Sequence, residues 1–95
     1  MNATDAPARP TLLDALPEAL ALADAATDVR AAAQALRAFY TRMRVVVVDA
    51  FDMRDEVPAA IGRNVQLYFA ATDGHCWHVT ADGRQAAGFF VAGKG

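Results

Sequence analysis

Apolar side chains recur at helical spacing up to about residue 41 and at strand spacing from residue 44 onward. Val29, Ala32, Ala33, Leu36, Phe39 and Tyr40 follow the i, i+3, i+4, i+7 rule of a helix with one buried face. Thr27 or Asp28 offers a side-chain oxygen to cap that helix, which runs to Tyr40 or Thr41. Arg30, Gln34 and Arg37 fall mostly off the stripe and read as solvated. Upstream, Pro17 suits the first position of a helix better than its interior. This predicts a short helix over 17–25, with a turn at 12–16 before it and Leu16, Leu20 and Ala23 facing inward.

The run Val45 to Val48 has no charge at either parity between Arg44 and Asp49, so both faces of that strand are expected to be covered. Residues 50–63 carry acid, Pro58 and Gly62 and read as a connecting loop. Val65, Leu67 and Phe69 alternate with Gln66, Tyr68 and Ala70 as a second strand, and Thr72-Asp73-Gly74 is a hairpin signal. A third strand covers 75–80, Ala81-Asp82-Gly83-Arg84 is a turn, and 87–92 is a fourth strand. In that last strand Gly88 marks a bulge or a close backbone approach. The fold class is therefore α+β, two N-terminal helices packed on one face of a four-stranded antiparallel meander sheet. It forms a single domain over 11–95, after a flexible leader at 1–10 that holds Pro7 and Pro10.

Two helices cannot cover both faces of such a sheet, yet the strands at 45–48 and 87–92 are apolar on both. The pattern predicts that the second face is buried against another copy in a two-fold dimer, through Val46, Val48, Tyr68 and Phe90. Trp77 would anchor either the core or that interface. The alternative is that loop 50–63 or the leader folds back over the same face.

Composition narrows the function classes. The chain has 95 residues, is 55% hydrophobic and 21% charged, and carries a formal charge of −2, which fits a soluble globular protein without attraction to nucleic acid. No stretch is apolar enough for a bilayer, and the first ten residues do not form a secretory signal. A single cysteine excludes an internal disulfide and suits a reducing cytoplasm. The 23 alanines allow close helix packing, and the absence of serine excludes Ser-His-Asp chemistry.

The one cysteine and both histidines stand together as His75-Cys76-Trp77-His78. On a strand Cys76 and His78 share a face, and thiolate with imidazole suits Zn²⁺, Cu⁺ or Fe²⁺. A closed site needs more donors, and the acidic loop from Asp49 to Glu56, with Asp52 and Asp55, is the evident source. The plainer reading is a buried cysteine acting as a small hydrophobe beside strand histidines. A catalytic thiol is disfavoured, because same-face neighbours stand about 7 Å apart along a strand. The acidic loop itself reads as a solvated segment that keeps a sheet edge from pairing with strangers. Arg37, Arg42 and Arg44 gather at the helix-to-strand junction, where they either meet an anion or an acidic partner or complement the helix dipole.

Several short motifs carry a resemblance. They are Leu36-Arg37-Ala38-Phe39 before a strand, the acidic stretch Asp52, Asp55, Pro58, then Leu67-Tyr68, Gly74-His75-Cys76, Thr80-Ala81-Asp82 and Ala87-Gly88. Over roughly residues 30–92 the chain is similar to a family of small uncharacterised bacterial proteins often encoded among nitrogen-fixation genes. It departs from that pattern in Trp77-His78 after the cysteine and in the wider spacing of its acidic residues. The resemblance implies a small accessory or regulatory role near metallocluster or redox chemistry. The expected function is a non-enzymatic accessory or regulatory module acting through protein–protein interaction, homodimeric and with no required cofactor. The alternative is a metal-handling or redox-sensing protein using Cys76 and His78 with Asp52 or Asp55.

Overall fold

The computed structural model describes residues 11–94. The expected leader at 1–10 lies outside the described residues. The first helix, α1, spans Leu12–Asp24 and starts at Thr11, whose backbone N–H and hydroxyl both donate to Asp14 Oδ2 at 3.1 and 3.2 Å. It begins five residues before the expected start, so Pro17 sits inside it. Pro17 removes the N–H that would bond the Leu13 carbonyl, but both residues are on the exposed side, where solvent can satisfy that carbonyl at a smaller cost than in the core. Helix α2, Val29–Phe39, is capped by Asp28, whose Oδ1 accepts from the Ala31 N–H at 2.7 Å. Ala19, Ala23, Ala32 and Ala33 are fully buried in the helix-side core.

Phe39 departs from its expected core position and is 58% exposed. The helix ends there, and Tyr40 leaves helical geometry at φ −110°, ψ 74°, which turns the next ring inward instead. Tyr40 packs edge-on against Phe89 at 6.5 Å, and its hydroxyl donates to Glu18 Oε1 at 3.0 Å, tying α2 to α1.

The sheet has five strands: β1 (Arg44–Val48), β2 (Ala60–Ile61), β3 (Val65–Thr72), β4 (Trp77–Thr80) and β5 (Gly88–Gly93). The α+β class holds, but the order is not a meander. β5 lies between β1 and β3, and β2 and β4 share the outer edge of β3. β5 runs antiparallel to β3 (Leu67 opposite Val91, Phe69 opposite Phe89) and parallel to β1 (Val45 opposite Phe89), so the sheet is mixed. The physical reason is burial: GFFVAG is apolar on both faces, and the central position covers it on both sides. Gly88 is the expected close approach. A Cβ there would lie 2.9 Å from Arg44 Cβ and nearer still to the Arg44 carbonyl oxygen, so only glycine lets β1 pack in this register.

Val45, Val65, Leu67, Phe69, Phe89 and Val91 face the helices together with Leu36, and Phe69 stacks on Phe89 at 6.0 Å. A separate cluster forms on the second face. There Met53 from the loop after β1 packs with Tyr68 and Ala92, and Val48, Val79 and Phe90 join from the sheet. The loop folding back, rather than a second copy, thus covers Tyr68. No helix among the described residues is long and apolar enough to cross a membrane.

Candidate functional site

Asp73 builds the turn that presents the histidine–cysteine cluster. Its Oδ1 accepts from the backbone N–H groups of His75 and Cys76 at 2.9 and 3.0 Å, and these bonds hold the carboxyl below its ordinary range. Thr72 Oγ1 accepts from the Gly74 N–H at 3.1 Å, and Gly74 takes φ +98°, which favours glycine. Cys76 is exposed in this turn and lies outside the strand, which starts at Trp77. In register, His78 pairs with Ala71 on the helix side, while Trp77 and Val79 pair with Thr72 and Ala70 on the second side. Asp52 and Asp55 flank Met53, which packs on that second face. The sheet therefore lies between His78 and the two carboxylates. No three His, Cys, Asp or Glu side chains among the described residues are placed to hold a metal ion.

The loop carries its own order. Asp49 Oδ1 accepts from the Phe51 N–H at 2.8 Å, the Ala50 carbonyl accepts from Met53, and the Met53 carbonyl accepts from Glu56. These turns drive Met53 inward and leave Phe51 68% and Val57 84% exposed. The Arg54 guanidinium lies 4.2 Å from the Phe51 ring and bonds its carbonyl at 2.8 Å. Beneath, Tyr68 is 2% exposed and donates its hydroxyl to Gln66 Oε1 at 3.0 Å. Burial first, and the nearby Glu56 second, push its phenol up from the ordinary value. Of the four residues expected at an interface, Tyr68 is sealed within the chain, whereas Val46, Val48 and Phe90 are half-buried.

The basic group sits at the sheet's other edge. Arg37, expected to be solvated, donates from Nε and Nη2 to the Val45 carbonyl at 3.1 and 2.9 Å. Beside it a groove of about 370 Å³ opens between Val29, Arg30, Arg37, Val46 and Val47. Arg42 lines a second, wider groove with Thr11, Tyr40, Thr41 and Arg84. Arg44 reaches across the sheet to stand 5.8 Å from the Trp77 ring, over the small residues Gly88 and Ala70 of the same row. The sequence pattern flagged these arginines but not the strand edge that Arg37 caps. The signal for that edge was present in the run itself, which is basic before the valines and acidic after them.

No family model matches the chain, and neither a curated protein nor a solved structure matches it.

Proposed function

We propose that the protein is a non-enzymatic accessory or regulatory module that works by protein–protein interaction, starting with self-association into a homodimer. The observation that carries this reading is the exposure of large apolar side chains set among charges. Phe39 and Val47, on α2 and the sheet-edge strand β1, are 58% and 38% exposed, and Phe51, Val57 and Ile61 are 56% exposed or more along the acidic loop and β2. Large exposed apolar side chains are the kind of surface that contact with a partner buries. Sedimentation equilibrium on the reduced full chain, from micromolar to sub-millimolar concentration, tests the reading. Twice the chain mass of 10.1 kDa supports it, and a single-chain mass throughout refutes self-association.

A further inference from the structure

We infer that the groove between the start of α1, the turn after α2 and the turn before β5 binds a small organic anion. Arg42 and Arg84 hold the acidic head, and Leu12, Tyr40 and Met43 take the apolar body. The site stands apart from the self-association proposed above and does not depend on it. The groove measures about 730 Å³, within the range of small-molecule sites. Leu12, Tyr40, Met43 and Ala86 give it an apolar lining, and Thr11 and Thr41 add hydroxyls. The charged side chains along it are Arg42 and Arg84, both exposed, and no carboxylate lines it among the described residues.

Charge selects this occupant. The acids bonded to the lining residues are already engaged. Asp14 Oδ2 accepts from the Thr11 N–H and hydroxyl, and Glu18 Oε1 accepts from the Tyr40 hydroxyl. Asp82 Oδ1 accepts from the Arg84 N–H at 3.0 Å, and its 3.7 Å approach to Arg84 Nε is longer than a hydrogen bond. That is the ion pair within 4 Å among the described residues, so Arg42 has no carboxylate partner there. Two guanidiniums along one groove complement an anion, and their planar forks match a carboxylate or a phosphate. The walls are fixed before a ligand arrives. The Met43 N–H bonds the Tyr40 carbonyl at 3.1 Å and closes the turn that carries Arg42. On the opposite wall the Gln85 N–H bonds the Asp82 carbonyl at 3.0 Å, and the Ala87 N–H bonds the Ala70 carbonyl at 2.8 Å. A Cβ added at Gly83 would lie 2.8 Å from Leu13 Cβ, so the start of α1 rests directly on the turn that carries Arg84. A preformed groove spends little ordering entropy on binding.

Amide and methyl NMR of the full chain, titrated with phenyl phosphate, tests the site. Saturable shifts are expected at Leu12, Met43 and Ala86, with millimolar or tighter affinity for a probe of about ten heavy atoms. Arg42→Gln and Arg84→Gln should each weaken binding roughly tenfold, the loss of one charged hydrogen bond. Arg30→Gln, in the groove beside β1, should leave it unchanged. Benzyl alcohol, which lacks the charge, and inorganic phosphate, which lacks the apolar body, should each bind at least roughly tenfold more weakly. Phenyl phosphate that shifts no resonance of the groove overturns the site, as does binding that both glutamine variants retain in full. Inorganic phosphate binding as tightly as phenyl phosphate overturns the organic ligand. Nuclear Overhauser contacts from residues 1–10 to Tyr40 or Met43 that phenyl phosphate leaves undisturbed put the chain's own start in the groove and overturn the site as well.

Discussion

The two glycines of β5 give a paired prediction in which one substitution has opposite outcomes. At Gly88 an added Cβ would meet Arg44 backbone and Cβ atoms at 2.9 Å or less. That obstacle is the main chain of β1, not the far end of a side chain, so relief requires β1 to move off β5. The nearby bond from the Arg44 N–H to the Ala87 carbonyl, already 3.3 Å long, would go with it. Combining overpacking with one lost backbone bond, Gly88→Ala should destabilise by about 3 kcal/mol. At Gly93 the nearest atom is Val29 Cβ at 3.7 Å, an ordinary contact, and φ is not positive. Gly93→Ala should therefore be neutral or stabilise by about 0.5 kcal/mol through the unfolded chain. Urea unfolding read by Trp77 fluorescence measures both, and the gap between them corresponds to roughly 12–28 °C in midpoint for a domain of this size. A Gly88→Ala chain within about 0.5 kcal/mol of the parent would refute the parallel pairing of β1 with β5, since surface-like tolerance is incompatible with that approach.

Met53→Ala should cost about 2 kcal/mol, the low end for a buried methionine because a loop can settle into the space, and should bring the ionisation of Tyr68 to lower pH by exposing its phenol; denaturation and an ultraviolet pH titration check both. Asp24 accepts from the backbone N–H groups of Asn64 and Arg63 at 2.7 and 2.9 Å, which lowers its pKa below 3.8. The stability it adds is complete above 3.8 and lost as pH falls through the lowered value, so Asp24→Asn should be less stable at neutral pH and show a flatter acid limb in midpoint against pH. Tyr40 titrates in the opposite sense: burial, then Glu18, push its phenol up to about 12, so its contribution is complete below pH 10 and fades between the two values. Tyr40→Phe should lose about 1 kcal/mol at neutral pH and flatten the alkaline limb, read in the same titration.

The helices were legible because their signals are local. Asp28 caps where a capping residue stands, and Ala32, Ala33 and Leu36 are buried where the 3.6-residue period puts them. Phe39 was misread because the period does not say where the helix stops, and one residue of overrun exchanges Phe39 for Tyr40 at the core. Pro17 misled for a related reason: its rule concerns a lost bond, and the loss is small where water replaces it. Strand order was not legible, since pairing β1 with β5 depends on contacts across nearly half the chain, although Gly88 announced that something approached closely. The second face illustrates the same limit. Its apolar pattern was read correctly, but the pattern is silent on whether Met53 of the chain or another copy supplies the cover. The metal alternative relied on Cys76 and His78 sharing a strand face, and the Asp73 turn takes Cys76 out of the strand.

The position of β5 also sets the order in which the molecule can be made. It is the last of the described elements along the chain and the middle strand of the sheet, with β1 on one side and β3 on the other. During translation β1 and β3 are made before the strand that lies between them exists. Phe69 and Leu67 then have no Phe89 or Val91 to lie beside, and Val45 has no strand at all. The nascent chain must keep these apolar surfaces from other chains until Gly93 has been added, a window in which holding chaperones act. Folding then proceeds as a late, concerted closure around β5 rather than stepwise from the N-terminus, at the slower rate that distant pairings impose.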